Sequence, residues 1–187
     1  MSRQSPKSTI VLDLDHTLVH STSKVKGEID YSFFAHDGNK GFEYYGKIRP
    51  GTQAFLSVLK DKFEQIIVWS AGTKEYVDLI SLALFAPVGY VPTAILSRKY
   101  CEQAKINTAT CYKKPLKKIF SEYDADPFRT ILVDDSGISM LENSNENTIL
   151  TPGFYHDKKD NILLEMTKWI SNLEGEDYTI FRKPKFQ

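Results

Sequence analysis

Ile10-Val11-Leu12-Asp13-Leu14-Asp15-His16-Thr17-Leu18 is the most informative segment of this 187-residue chain. Three apolar residues lead to two acidic residues that are separated by one leucine. A short continuous apolar run is typical of a strand buried on both faces, as in a parallel sheet. Carboxylates at the end of such a strand need a compensating charge, and a bound cation is the usual one. The alternative interpretation is an ordinary charged exit from a strand into a loop.

Two further apolar runs end in the same polar way. The run 64–69 is followed by Ser70, and the run 130–133 is followed by Asp134 and Asp135. Stretches with helical spacing separate these strands, which predicts an α/β fold with a parallel sheet flanked by helices. Because the carboxyl ends of parallel strands share one edge, we expect these side chains to meet in one crevice.

The residues expected at this edge are suited to phosphate chemistry. Three or four carboxylates form a site for a hard divalent cation, and Mg²⁺ fits so small a set of oxygens better than Ca²⁺ does. The turn Ser70-Ala71-Gly72-Thr73 opens a helix, and its backbone N–H groups can bind an anion. Lys114 stands at the predicted start of a later helix, where a cation opposes the helix dipole unless it faces an anion.

The order of these motifs resembles that of the haloacid dehalogenase superfamily of phosphotransferases. The first motif is DxDxT at residues 13–17, and a hydroxyl residue, a lysine and an acidic pair follow it in that order. A receiver domain gathers similar residues, but there the lysine comes last. Segments 12–20, 68–73 and 133–136 are most similar to one branch, the RNA polymerase II C-terminal-domain phosphatases and the NLI-interacting-factor-like phosphatases. The resemblance covers about residues 8–172.

The resemblance implies a role for each motif residue. Asp13 is the nucleophile and Asp15 is the general acid and base. The metal ligands are Asp13, Asp15 through its backbone carbonyl, Asp134 and Asp135. The phosphate ligands are Thr17, Ser70, Ala71 and Lys114, with Lys113 as an alternative to Lys114. Asp135 departs from the family pattern, because many members have asparagine there.

Substrate-binding candidates lie outside these motifs. Residues 22–48 contain two aromatic-rich runs around Asp37-Gly38, which predicts a β-hairpin flap over the site and no large cap domain. Tyr44 and Tyr45 on this flap are candidates for gripping a peptide, although simple packing of a small sheet explains the aromatics equally well. The resemblance further implies that Arg98 contacts a second phosphate or an acidic substrate residue; the alternative is a solvated arginine. Residues 86–112 are a candidate substrate-side insertion.

Size and composition set the remaining limits. The chain is 41% hydrophobic, with 24 basic and 24 acidic residues, so no net charge favours nucleic acid or anionic lipid. We expect one domain at residues 9–174, a flexible lead-in at 1–8 and a C-terminal tail at 175–187, whose basic end at 182–187 is peripheral. Two cysteines without metal spacing, no signal peptide and no membrane-length apolar run predict an intracellular protein, cytoplasmic or nuclear. We also expect a monomer.

These expectations converge on a Mg²⁺-dependent protein serine/threonine phosphatase with an aspartyl-phosphate intermediate. Its substrates are expected to be phosphoserine peptides such as the RNA polymerase II C-terminal domain. Two alternatives remain open: a non-catalytic protein-binding module of the same fold, and a phosphatase of small phosphorylated metabolites. The intact motif residues argue against the first alternative, and the small insertions argue against the second.

Overall fold

The computed structural model describes residues 6–25, 27–175, 177–179, 183–184 and 186. The strands, in chain order, are β1 (Lys7–Leu12), β2 (Val19–Thr22), β3 (Tyr31–Asp37), β4 (Lys40–Ile48), β5 (Gln65–Trp69), β6 (Ala94–Leu96), β7 (Glu102–Ile106), β8 (Ala109–Lys113), β9 (Ala125–Asp134) and β10 (Thr148–Leu150). The α-helices are α1 (Thr52–Lys62), α2 (Lys74–Phe85), α3 (Leu116–Glu122) and α4 (Ile162–Ser171).

A five-stranded parallel sheet forms the centre of the molecule. Its strand order is β10-β9-β1-β5-β6, and every neighbouring pair is parallel. Leu12 at the end of β1 is in register with Val68 on one side and with Val133 on the other. The polar residues that follow these strands therefore emerge side by side. The predicted α/β fold with a parallel sheet is confirmed.

Helices cover both faces of this sheet, because successive residues of a buried strand point to opposite sides. Ile10 and Leu12 of β1 pack on one side into the core with α1, α2 and α4. Val11 packs on the other side with Leu116 and Ile119 of α3. Each helix contributes its apolar face, as in α1, where Phe55, Leu56 and Leu59 are buried.

The predicted flap is a three-stranded antiparallel sheet rather than a simple hairpin. β3 and β4 form the expected hairpin, which turns at Gly38 with a positive φ of 62°. β2 adds to it as a third strand, in the order β2-β4-β3. Only the two aromatic-rich runs were visible as strands in the sequence, because the polar residues of β2 show no apolar alternation.

The region 86–112 also differs from expectation. The strand expected at residues 90–96 is shorter and comprises only Ala94–Leu96, at the edge of the central sheet. After it, β7 and β8 form a two-stranded hairpin that the sequence did not predict. Its turn contains Asn107 with a positive φ of 55°, and its strands are polar, so neither turn nor strand signals were strong.

Several predicted boundaries were wrong. Lys7, placed in the lead-in, begins β1. The turn expected at residues 126–129 lies within β9, as an irregularity where the pairing of β1 with β9 shifts register. Within this irregular part of β9 a local turn remains, in which the Asp126 carboxylate accepts a hydrogen bond from the backbone N–H of Phe128. The helix expected over 158–173 is limited to Ile162–Ser171.

The chain ends are only partly described. Residues 1–5 of the expected lead-in lie outside the described residues, as do 176, 180–182, 185 and 187 of the expected tail. Tyr178, in the expected tail, is buried with its ring 5.7 Å from that of Phe63. Within the described part of the chain, no helix has the length and apolar content needed to cross a bilayer.

Candidate active site

A crevice of about 540 Å³ opens at the carboxyl edge of the central sheet, beneath the flap. Most of the residues predicted from the sequence line it, and these are Asp13, Asp15, Tyr44, Ser70, Ala71, Arg98, Lys114, Asp134 and Asp135. Thr17 and Tyr45 are absent from this lining. The parallel register of β1, β5 and β9 brings the acidic and hydroxyl residues together from distant parts of the chain.

Lys114 lies at the centre of the acidic cluster. Its Nζ atom donates to Asp13 Oδ1 at 2.5 Å and to Asp134 Oδ2 at 2.7 Å, and the side chain is 1% exposed. Burial lowers the pKa of Lys114, but the two carboxylates outweigh it and raise the pKa above its usual range. Lys113, the alternative candidate, instead pairs with Glu142. The ammonium group therefore stays charged between the two acids.

Asp13 is held through both of its oxygens. Lys114 contacts Oδ1, and the Thr17 hydroxyl donates to Oδ2 at 3.0 Å. Thr17 is fully buried, so it orients the Asp13 carboxylate from behind. Burial raises the pKa of Asp13, and the neighbouring Lys114 ammonium opposes this rise by favouring the charged form.

Asp15 lies in a different environment from Asp13, although only one residue separates them. The Tyr76 hydroxyl donates to its Oδ1 atom, and the Ser70 hydroxyl lies 3.5 Å from Oδ2. Burial raises the pKa of Asp15, against the opposing hydrogen bond from Tyr76. A buried carboxyl group with a raised pKa holds a proton more readily, as a general acid must.

A group of three carboxylates offers a metal site. One oxygen each from Asp13, Asp134 and Asp135 lies within 4.8 Å of the others, and no other such group occurs among the described residues. Three carboxylates beside one lysine leave an excess of negative charge, and hard oxygen donors suit Mg²⁺. The donor set fits the predicted cation. The Asp15 carboxylate lies outside this group, since Tyr76 and Ser70 hold it.

The turn after β5 forms the opposite wall of the crevice. The Ser70 hydroxyl accepts from the backbone N–H of Gly72 at 3.0 Å. Arg98 donates from Nε to the carbonyl of Ala71 at 2.7 Å, and its Nη1 atom lies 3.3 Å from Asp37 at the tip of the flap. Arg98 therefore joins the turn to the flap, and its guanidinium remains partly exposed to the crevice.

Tyr44 and Tyr45 of β4 point in opposite directions. Tyr44 lines the crevice, and its ring lies 4.8 Å from that of Tyr76. Tyr45 is the next residue of β4, so its side chain lies on the other face of the flap. The prediction that paired Tyr45 with Tyr44 at the site therefore does not match the geometry of this strand.

Sequence reasoning missed Tyr76, Ser21 and Tyr31, whose hydroxyls connect to Asp15. Tyr76 fits the apolar face of α2, and nothing in the sequence separates it from a core aromatic. His16 also lines the crevice. Its backbone is left-handed, with φ at 63°, which turns the chain sharply after Asp15.

Paired acids after a central strand, a buried lysine and a hydroxyl turn on one edge of a parallel sheet define an α/β protein of the haloacid dehalogenase type. The sequence pattern of the NLI interacting factor-like phosphatases matches residues 8–179, and the chain belongs to this family. The resemblance noted from the motifs is thus confirmed.

Named relatives agree with this assignment. A probable C-terminal domain small phosphatase of Dictyostelium discoideum is 32% identical over 165 residues, which are 88% of this chain and 50% of that protein. CTD small phosphatase-like protein 3 of Caenorhabditis elegans is 25% identical over 188 residues, 100% of this chain and 62% of that protein. The chain thus spans between half and two thirds of the length of these relatives.

A solved structure of Fcp1, an essential RNA polymerase II CTD phosphatase, has a similar fold. The TM-score is 0.58 at 22% sequence identity, and the match covers 80% of this chain and 43% of Fcp1. At this identity the likeness supports the fold alone.

Proposed function

We propose that this protein is a Mg²⁺-dependent phosphoprotein phosphatase that acts on phosphoserine or phosphothreonine peptides through an aspartyl-phosphate intermediate. One observation carries the proposal. Two aspartates separated by one residue are held in contrasting environments at the same edge of the sheet: the buried Asp13 by Lys114 and Thr17, and the half-buried Asp15 by Tyr76 and Ser70. Such a division suits a nucleophile and a general acid.

Asp13 attacks phosphorus in the first step, and the bond from phosphorus to the serine oxygen breaks. The proton on Asp15 passes to the departing oxygen, so that an alcohol leaves rather than an alkoxide. In the second step, Asp15 accepts a proton from the water that hydrolyses the aspartyl-phosphate. Thr17 keeps the Asp13 carboxylate oriented during both steps.

Charge neutralisation dominates phosphoryl transfer, and the Lys114 ammonium group and a bound cation would supply it. Lys114 and Ser70 face the crevice and bind phosphoryl oxygens. Mg²⁺ would be held by Asp13, Asp134 and Asp135, with the Asp15 backbone carbonyl as a further ligand, and would neutralise charge on the phosphoryl group. Ala71 adds backbone polar groups to the same wall.

The open crevice and the flap support a peptide substrate over an enclosed metabolite. Tyr44 and Arg98 lie at the side where the chain of a bound peptide would pass. Two further relatives, from mouse and from fission yeast, are named as phosphatases of the RNA polymerase II C-terminal domain, which makes its phosphoserine repeats the first substrates to test. We further propose that the protein works as a monomer inside the cell, in the cytoplasm or the nucleus.

The test measures phosphate release from an aryl phosphate and from phosphoserine heptad-repeat peptides, with Mg²⁺ or with EDTA. Asp13→Asn is compared with the parent, and Asp61→Asn on the exposed side of α1 serves as the control. We expect Mg²⁺-dependent turnover that Asp13→Asn lowers by at least about 10³-fold. Asp61→Asn should match the parent.

Three other outcomes are informative. Turnover without Mg²⁺ would contradict the metal dependence. Turnover of the aryl phosphate alone would keep the chemistry and favour a small phosphorylated metabolite. Folded protein that hydrolyses neither substrate in Mg²⁺ would favour the non-catalytic binding module.

A further inference from the structure

A chain of three hydroxyl groups leads from the flap to the general acid. Tyr31 Oη lies 2.7 Å from Ser21 Oγ, Ser21 Oγ lies 2.5 Å from Tyr76 Oη, and the Tyr76 hydroxyl donates to Asp15 Oδ1. The three residues come from β3, β2 and α2. The flap sheet and the main domain therefore meet at one carboxyl group.

The direction of these hydrogen bonds follows from counting protons. Each hydroxyl has one proton to donate. Tyr76 uses its proton on Asp15, so Ser21 must donate to Tyr76, and Tyr31 must in turn donate to Ser21. Burial raises the pKa of both tyrosines above the usual range, so both hydroxyls keep their protons. All three donors thus point toward Asp15.

Two glycines leave the room that the tyrosines occupy. A β-carbon at Gly72 would lie 2.7 Å from the Tyr76 ring, and one at Gly46 would lie 2.1 Å from Tyr31. Tyr76 is 4% exposed, with its ring 5.7 Å from that of Phe33. The hydroxyl of Tyr76 is therefore held in place by packing as well as by hydrogen bonds.

We propose that Tyr76 is a positioning residue for Asp15: its hydroxyl holds Asp15 Oδ1 and thereby keeps Oδ2 turned toward Ser70, with Ser21 and Tyr31 keeping the Tyr76 hydroxyl in place. Oδ2 is the oxygen on the side of Ser70, which lines the phosphate wall. This inference rests on the proposed function, because it concerns the carboxyl group that acts on the leaving oxygen.

The step that depends on this arrangement is the first one. The bond from Asp13 to phosphorus forms, the bond from phosphorus to the leaving oxygen breaks, and Asp15 gives a proton to that oxygen. Without the Tyr76 hydroxyl, the Asp15 carboxyl group can rotate away from the leaving oxygen. Poor leaving groups need this proton, whereas good leaving groups depart without it.

The test is the leaving-group dependence of kcat/KM for a series of substituted phenyl phosphates. These substrates have nearly the same size and differ in the basicity of the departing phenol. For Tyr76→Phe we expect a loss of about tenfold for the most basic phenol, part of the roughly 10²- to 10⁴-fold that a positioned acid supplies. The loss should be small for the most acidic phenol, so the slope against leaving-group basicity steepens.

Matched variants separate positioning from structural damage. Ser21→Ala breaks the chain one residue further away and should steepen the slope less than Tyr76→Phe, and Ser21→Thr should restore it. Tyr178→Phe removes a hydroxyl from another buried tyrosine, far from the crevice, and should leave the slope unchanged. If Tyr76→Phe fails to fold, Ser21→Ala carries the test, since it leaves the aromatic packing intact.

An equal loss for every phenyl phosphate, or an unchanged slope in Ser21→Ala, would overturn the inference, because a binding or structural role affects all members alike. A gain in activity with Tyr76→Phe would also overturn it, since the hydrogen bond would then hold Asp15 in an unproductive orientation. A parent protein that hydrolyses none of the phosphates would refute the proposed function itself, which is a distinct result.

Discussion

The carboxyl edge of the central sheet and the flap sheet face the same crevice but are built differently. The edge follows strands that are buried on both faces, and its charged groups Asp13, Lys114 and Asp134 are almost fully buried. The flap has one face on the domain and one in solvent, and Phe34 on its outer face is 55% exposed. We therefore expect the two regions to tolerate different amino-acid substitutions.

This contrast separates chemistry from recognition. Buried charges at the edge can hold their geometry only while every partner is present, because an unpaired charge in a dry site is costly. The flap presents aromatic side chains on a surface that can vary without disturbing those charges. Arg49, at the end of β4, connects the two regions, because it donates to the Thr17 carbonyl at 3.0 Å.

The largest effect is expected for Lys114→Met at the edge. This change leaves Asp13 and Asp134 buried without their cation, so it should cost about 3–5 kcal/mol of unfolding free energy and about 10²-fold or more in kcat/KM. Lys113→Met is the matched control, since Lys113 pairs with Glu142 near the surface. Urea unfolding in EDTA and phosphatase assays measure both effects. Equal losses in the two variants would remove the distinction between edge and surface.

Arg49→Gln tests the connection between the regions. Arg49 is 1% exposed and pairs with Asp160 at 2.9 Å, besides its bond to the Thr17 carbonyl. Losing these contacts should cost about 3 kcal/mol, seen as a melting temperature lower by roughly 10 °C. Lys158→Gln breaks an exposed pair with Glu28 and should change stability by less than about 1 kcal/mol. Similar melting temperatures for the two variants would contradict this assignment.

Tyr44→Ala and Tyr45→Ala test the two faces of the flap. Tyr44 faces the crevice, so its loss should raise KM for phosphopeptides by about tenfold and leave KM for a small aryl phosphate nearly unchanged. Tyr45 lies on the opposite face, and its variant should behave like the parent. Steady-state kinetics with both substrates measures this. A larger effect from Tyr45→Ala would reverse the orientation that the strand assigns.

Asp135→Asn should have the smallest effect, which is a change in the stability of the folded protein. Burial and the nearby Asp134 charge raise the pKa of Asp135 in the folded protein. Its contribution to stability is therefore complete below the unfolded pKa of about 3.9 and is lost as the pH rises through the folded pKa. At pH 7 without metal, the uncharged asparagine should raise the melting temperature by a few degrees, and the gain should shrink toward pH 4.

Asp135→Asn should also change how strongly Mg²⁺ stabilises the protein. Asp135 belongs to the carboxylate group that fits Mg²⁺, so Asp135→Asn should reduce the stabilisation that added Mg²⁺ provides. Thermal unfolding with and without Mg²⁺ measures the difference, with Asp61→Asn as the control. A melting temperature that falls at pH 7 in EDTA would contradict the repulsion between Asp134 and Asp135.

Much of the site could be predicted because it follows from strand ends. Asp13, Ser70 and Asp134 each follow an apolar run, and parallel strands bring such positions to one edge whatever lies between them. Lys114 was harder, because its preceding strand belongs to a polar hairpin that the sequence did not predict. Its position before a predicted helix and its place in the order of motifs pointed to it.

The opposite orientation of Tyr44 and Tyr45 was available from the sequence, since adjacent residues of a strand face opposite sides. The hydroxyl chain could not be predicted from the sequence, because no sequence pattern connects Ser21, Tyr31 and Tyr76 with the catalytic residues. Each looks like an ordinary strand or core residue, and only the folded distances connect them to Asp15.

Sequence alone therefore established the parallel α/β sheet, the family and the acids at the sheet edge, because apolar periodicity and motif order are properties of the chain itself. The folded protein showed which carboxylates pair with Lys114, which carboxylate Tyr76 holds, and which flap residues face the crevice. These depend on contacts between residues 55 to 101 positions apart, and such contacts form only when the sheet, the helices and the flap pack together.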